Sequence, residues 1–247
     1  MLDRLKISGH AMLTRMNQMD AVSNNIANIN TKGFKREELF WNELDKQSKI
    51  RDFSKFQAQT HIPYAGATID FKQGALAPTG NTFDVAISGE GLFSVESNQG
   101  EAYTRDGRFT LNNEGILVTI DGLPVLGEGG QIQIDLQATH PSQVIINDQG
   151  DIVVDGAVID KLKLIGMDDP ANFRKMGANL FQLVGGDSAP PETVSVRQGF
   201  LEESNVEPVY EMVRMMEIFH FYETGQKMIH EQDKMLNKAV NDIGRVG

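Results

Sequence analysis

Apolar residues recur with two different periods along this chain. At the C-terminal end, Met212, Met215, Phe219, Tyr222, Gln226, Ile229, Asp233, Leu236, Val240 and Ile243 follow one another in alternating steps of three and four. That is heptad spacing, and only Gln226 and Asp233 break its apolar character. Arg214, Glu217, Glu223, Lys227, Glu231 and Lys234 fall on the other faces. Pro208 lies near the start of the pattern, and Ser204 or Asn205 in "SNVEP" offers a cap. Gly225 weakens the helix locally by about 1 kcal/mol relative to alanine. A shorter version of the pattern opens the chain: Leu5, Met12, Met16, Met19 and Ile26 keep heptad spacing, with Gly9 and Ser23 at the intervening positions. Two amphipathic helices are therefore predicted at opposite ends of the sequence.

Between them the period drops to that of strands. "FDVAI", "GLFSV", "RFTL", "ILVTI", "QIQI", "QVII", "DIVV" and "KLKLI" are short runs rich in β-branched and aromatic residues. Gly, Asn and Asp clusters separate them at intervals of about 8–12 residues, a spacing that suggests an antiparallel sandwich or irregular barrel. "NDQGDIVVDGAVID" reads as a hairpin with Asp155-Gly156 at its turn. The expected fold is α+β, with the terminal helices pairing as an antiparallel coiled coil around an inserted β-rich domain. The expected segments are residues 1–36 for the first helix, 37–80 for a connector, 81–203 for the β domain and 204–247 for the second helix. Seams two residues wide per heptad favour helix pairing; the competing expectation is that both helices pack on the β domain.

Methionine is concentrated on the helices, at Met12, Met16, Met19, Met212, Met215, Met216, Met228 and Met235. Such thioether-rich seams re-pack readily against non-identical neighbours. A net charge of −11 argues against nucleic acid as a partner, because a phosphate-binding surface needs a basic patch. No apolar run approaches the roughly 20 residues that span a bilayer, so insertion in a membrane is not expected. The N-terminus lacks the apolar core and small-residue cleavage site of a secretory signal, so the chain is expected either to stay in the cytoplasm or to be exported without a cleaved one. Cysteine is absent, which removes disulfides, thiolate metal sites and a cysteine nucleophile together. The five histidines form no pair at helical ligand spacing, and neither H-E-x-x-H nor G-x-S-x-G occurs. "GEGG" precedes a strand rather than a helix and reads as a turn. No metal, cofactor or catalytic residue is expected.

One stretch asks for a different explanation. "SNNIANINTKGFKR", Ser23 to Arg36, holds four asparagines and no acid. It resembles the N-terminal signature of the flagellar axial proteins (rod, hook and hook-associated proteins), a run similar to A-N-N-L-A-N-x-N-T-x-G-[FY]-K. Asn24, Asn25, Ala27, Asn28, Asn30, Thr31, Gly33, Phe34 and Lys35 match; Ser23 and Ile26 depart mildly. "GNTFDVAISGEGLFSV" and "YTRDGRFTLNNEGILVTIDGLPVLG" are similar to the β domain shared by hook and rod proteins. "LEESNVEPVYEMV" resembles the family's C-terminal signature, with Ser204, Asn205 and Val206 in place; "FHFYE" replaces an Arg-Ala-Tyr-Glu run but keeps Tyr222 and Glu223. The likeness spans nearly the whole chain. Its length and its ending "KAVNDIGRVG" look most like a proximal-rod member, with the distal rod next; a hook protein would be longer.

The resemblance implies a structural subunit that assembles with copies of itself and other rod proteins into a helical tube transmitting torque. It implies passage through the flagellar type III export apparatus and residence in the rod, in the periplasmic space. The terminal helices would form the inner layer. The assembly interface would then comprise Leu5, Met12, Met16, Met19, Asn24, Asn25, Ile26, Asn28, Asn30, Gly33 and Phe34 from the first end. From the second it would comprise Ser204, Asn205, Val206, Met212, Met215, Phe219, Tyr222, Ile229, Leu236, Val240 and Ile243. The asparagine amides, able to donate and accept at once, are expected to satisfy buried backbone groups at that interface, with Gly33 ending the helix in a φ > 0 turn and Phe34 as the apolar contact beyond it. The competing expectation is an ordinary helix end with its amides in water. Two other classes compete with the rod reading: a secreted carbohydrate-binding domain, for which Trp41, Tyr64 and Tyr103 are the candidate aromatics, and a wall-cleaving hydrolase, which needs a paired acid and base.

Overall fold

The computed structural model describes residues 2–40, 66–135, 144–167, 169–177, 179–185, 190–191 and 194–243, with no side-chain placement at 2–8, 10–11, 40, 66–67 and 239–243. Most of the expected connector, and Trp41 and Tyr64, lie outside the described residues, as do the side chains of Leu5, Val240 and Ile243. The chain divides into two compact units. One is helical and comprises Met1–Ala27, Glu37–Thr68 and Glu207–Gly247; the other is β-rich and comprises Asn28–Arg36 and Ile69–Val206.

The helical unit is built on α1 (Leu2–Ala27) and α2 (Pro208–Ile243), which pack against each other. Met12 sits against Gly225, and the Arg15 guanidinium lies 4.8 Å from the centroid of the Phe221 ring. Along α2 the covered or partly covered positions include Glu211, Met215, Ile218, Tyr222, Gly225, Ile229, Gln232 and Leu236, again in steps of four and three. Met215, Tyr222, Ile229 and Leu236 belong to the predicted seam. Its alternate positions are displaced by one residue: Met212 and Phe219 are about half exposed, and Gln226 and Asp233 are exposed. Glu211, Gly225 and Gln232 lie on the covered stripe without being apolar, whereas Met212 and Phe219 draw a hydrophobicity-based register one residue further along. On α1 the same shift puts Val22 and Asn25 inside and leaves Met16 and Ser23 exposed, while Met12, Met19 and Ile26 are partly covered.

The β unit has its strands in several small antiparallel sheets. The largest runs Leu164–Gly166, Gly91–Ser97, Gly100–Thr104, Leu180–Leu183, Phe173–Gly177 in spatial order. Alternation along these strands sends neighbours to opposite faces. Phe93, Val95 and Ala102 enter one apolar cluster with Val85, Ile87, Leu117, Ile132, Ile134 and Ile152. Leu92, Tyr103, Ile165 and Phe181 enter a second with Ile69, Met167 and Phe173. Both faces are thus covered, which is why "GLFSV" reads as an apolar run rather than an alternating strand. Val144–Ile146, Asp151–Val154 and Ala157–Lys161 form a three-stranded sheet. Its second hairpin turns at Asp155 and Gly156, at φ 52° and 85°, as the sequence predicts and as a tight I′-type turn requires.

Candidate functional site

The two signature segments fold onto each other within the β unit. Residues 32–36 and 202–206 are joined along their length. The Gly33 N–H donates to the Glu202 carbonyl at 2.8 Å and the Asn205 N–H to the Phe34 carbonyl at 3.4 Å. The Asn205 side chain accepts from the Arg36 N–H at 2.8 Å and donates to the carbonyls of Asp70 at 2.7 Å and Lys72 at 3.1 Å. Asn205 is thereby committed to the backbone and does not cap α2. That helix starts at Pro208, with the Glu211 N–H donating to the Glu207 carbonyl, and proline is well suited to a first helical position. Ser204 Oγ accepts from the Val206 N–H at 3.3 Å, and Val206 is buried.

At the centre lies a buried carboxylate between two cations. Glu202 Oε1 accepts from Lys35 Nζ at 2.6 Å, and Oε2 accepts from Arg105 Nε. The three side chains are at most 1% exposed. The cations have further acceptors. Lys35 Nζ donates to the carbonyls of Lys72 at 2.7 Å and Phe71 at 3.3 Å. Arg105 donates to the carbonyls of Ile87 at 2.9 Å, Gly89 at 2.8 Å and Gly91. Glu202 Oε1 also accepts from the Gly74 N–H at 2.8 Å. Burial pushes the Lys35 ammonium below the usual lysine range, and the Glu202 charge opposes that shift. Residues 71–74 are thus held by Lys35 and Glu202, and 87–91 by Arg105. Elsewhere in the unit, the hydrogen bonds from Arg108 to Asp106 push the guanidinium further up, and burial raises the Tyr103 phenol.

Gly33 shows why this packing needs its residue type. Its φ is +67°, and a Cβ there would stand 2.5 Å from the Arg105 carbonyl carbon. It does not end α1, contrary to the sequence expectation. The helix stops at Ala27, a turn closes from Thr31 N–H to the Asn28 carbonyl, and Gly33 serves the later bend. Phe34 is buried under the Lys175 ammonium, 3.8 Å from its ring centroid.

The asparagines divide by task. In the helical unit Asn25 is fully buried, and its amide donates to the Glu37 carbonyl and accepts from the Glu37 N–H, both at 3.0 Å. It behaves as a piece of strand offered to Glu37. Asn28, in the β unit, accepts from the Thr31 hydroxyl at 3.1 Å. Asn24 and Asn30 present exposed side chains. Lys35, Arg105 and Glu202 were not singled out as site residues, although all three lie in the signature stretches. Each stands beside further charges, in "GFKR", "TRDGR" and "LEE", so no local pattern marks it as buried. Among the described residues no group of His, Asp and Glu is arranged to hold a metal ion, and the clustered groups here are all saturated by one another, as a structural clamp requires.

The comparisons with known proteins give the family. Residues 5–35 match the model of the flagella basal body rod protein family, 86–154 that of the flagellar hook protein FlgE/F/G D1 domain, and 197–242 that of the flagellar basal body rod FlgEFG protein C-terminal region. The flagellar basal-body rod protein FlgF of Caulobacter vibrioides is 41% identical over 95% of both chains. FlgF of Mesorhizobium japonicum is 30% identical over 99% of both, and the rod protein FlgG of Bacillus subtilis is 33% identical over 91% of this chain and 92% of its own. The chain belongs to the flagellar basal-body rod family, whose members are structural rather than enzymatic. Within it the sequence is most like the FlgF proteins, with FlgG next.

Proposed function

We propose that this chain is a subunit of the proximal rod, assembling with copies of itself and with other rod proteins through its terminal helices. In that assembly α1 and α2 pair as a coiled coil and take their remaining neighbours from adjacent subunits, and the tube they build transmits torque. The subunit reaches the periplasmic space through the flagellar export apparatus. The observation that carries the reading is the apolar surface left on the helical unit: Val209, Met212, Val213, Met216, Phe219, Phe221, Met228 and Met235 on α2, with Leu13 and Met16 on α1, are 45–72% exposed. A helix pair of this length with so much uncovered apolar surface is marginal alone and gains by burial against others. Contacts that are heterologous and do not close produce a filament.

Hydrogen exchange tests it. The backbone of α1 and α2 should exchange fast in the isolated chain at low concentration and slowly in purified basal bodies. Equal protection in both states would mean that the helices already serve the monomer's own core, and the assembly role would fall.

A further inference from the structure

The chain has eleven methionines and no cysteine, so thioethers are its only oxidisable sulfur. Their exposure is graded. Met212, Met216, Met228 and Met235 on α2 are 50, 56, 57 and 66% exposed and Met16 on α1 is 46%; Met12, Met19, Met176 and Met215 are partly covered, and Met167 in the β unit is 6% exposed. Met212 and Met216 are one turn apart beside Val209, Val213 and Phe219; Met228 and Met235 are one heptad apart. The most accessible sulfurs thus sit within the apolar surface that the proposed assembly would bury, while Met167 in the β core is out of reach.

We propose that these four thioethers are a modification site for peroxide-class oxidants, and that their oxidation state decides whether α2 can be buried against another subunit. In the step, the sulfur lone pair attacks one peroxide oxygen and the O–O bond breaks. An S=O bond forms, sulfur is oxidised by two electrons, and the second oxygen leaves as water after proton transfer. The product is a polar, chiral sulfoxide in place of a flexible apolar side chain. A sulfoxide carried into an apolar interface without a donor weakens association by roughly tenfold or more. Methionine sulfoxide reductases return the thioether, with a pair of thiols supplying the two electrons and the oxygen leaving as water, so the block is reversible. The selectivity of the site stands on exposure alone; its consequence rests on the assembly reading above.

The test uses the full chain and dilute hydrogen peroxide. Peptide mass mapping follows the gain of oxygen at each methionine over time, and sedimentation velocity across a concentration series follows self-association. The comparison is a variant with Met212, Met216, Met228 and Met235, and also Met16 on the same exposed apolar surface, all changed to leucine. Expected are oxidation of the four before Met167, loss of self-association in the treated wild type, its recovery after enzymatic sulfoxide reduction, and unchanged association of the treated variant. Equal rates at Met167 and on α2, or association undiminished once the four are oxidised, overturn the proposal. So does equal loss in the leucine variant, which would place the damage elsewhere. If neither protein self-associates before treatment, the four cannot control burial between copies, and the self-assembly reading fails with that consequence, while the mass map still decides selectivity.

Discussion

Changing Glu202 to glutamine removes one charge from the β unit and almost no volume, so its cost isolates the electrostatics of the clamp. In the native protein the carboxylate faces Lys35 at 2.6 Å, Arg105, and the Gly74 N–H at 2.8 Å. With the amide in place, one oxygen still accepts, but the NH2 group confronts a cation. Two positive charges stay buried with no counter-charge, a situation that typically costs about 3–5 kcal/mol. Arg105 keeps three backbone carbonyls and Lys35 keeps two, which argues for the lower part of that range, about 3 kcal/mol. At a urea m-value of about 2 kcal/mol/M, the unfolding midpoint of this unit falls by about 1.5 M. Since the two units need not unfold together, the measurement is hydrogen exchange by mass spectrometry on peptides from Gly91–Thr104, followed across a urea series. A midpoint within about 0.3 M of wild type, below 1 kcal/mol, would refute the reasoning, because the cations would then have to be hydrated. Replacing all three charged residues by apolar ones should not rescue stability as it does for isolated triads. Five carbonyls and one N–H would lose their partners.

Three further outcomes are expected. Gly33→Ala should destabilise the β unit by about 2 kcal/mol or more, from positive φ and the collision with the Arg105 backbone; a loss under about 0.5 kcal/mol in the same urea series would contradict the geometry. Asn25→Ala should expose the Glu37 amide to fast hydrogen exchange and weaken the helical unit by about 1–2 kcal/mol, since a partly buried carbonyl and N–H lose their partner; unchanged exchange at Glu37 would count against it. The pH dependence follows from Lys35, whose folded pKa lies below its unfolded value of about 10.4. Between the two values the unfolded chain binds the extra proton, so stability contributed by this group rises with pH there, by at most about 1.4 kcal/mol per pH unit. The difference between wild type and Lys35→Met should therefore grow in favour of the wild type through that alkaline window, and a difference that shrinks would reverse the assigned sign.

The class and order of elements were legible because each carries its own period: heptads at both ends, short β-branched runs between. The Asp155-Gly156 turn was legible from two residues alone. The register of the helix stripe was not. Hydrophobicity favours Met212 and Phe219, yet Glu211, Gly225 and Gln232 lie along the covered stripe, and the fit of Met12 against Gly225 is a matter of shape. The asparagine-rich stretch was recognisable as a signature, but its division of labour was not. Whether an amide meets backbone or solvent depends on what lies across from it, and for Asn25 that is Glu37, beyond the end of the helix. Lys35, Arg105 and Glu202 escaped for the same reason: they are far apart in the chain, and a charge next to another charge looks like a surface residue until its buried partner is seen.

The pairing of residues 32–36 with 202–206 has a mechanical meaning. A pull applied at Asn28 and Val206 would not travel through the strands between them, because the tie from Gly33 to Glu202 and from Arg36 to Asn205 closes the path first. The β fold hangs from that tie as a bight hangs from a knot. Load entering at either point crosses a few hydrogen bonds and the Lys35–Glu202 ion pair, and the long stretch of chain beyond them is left slack and undistorted.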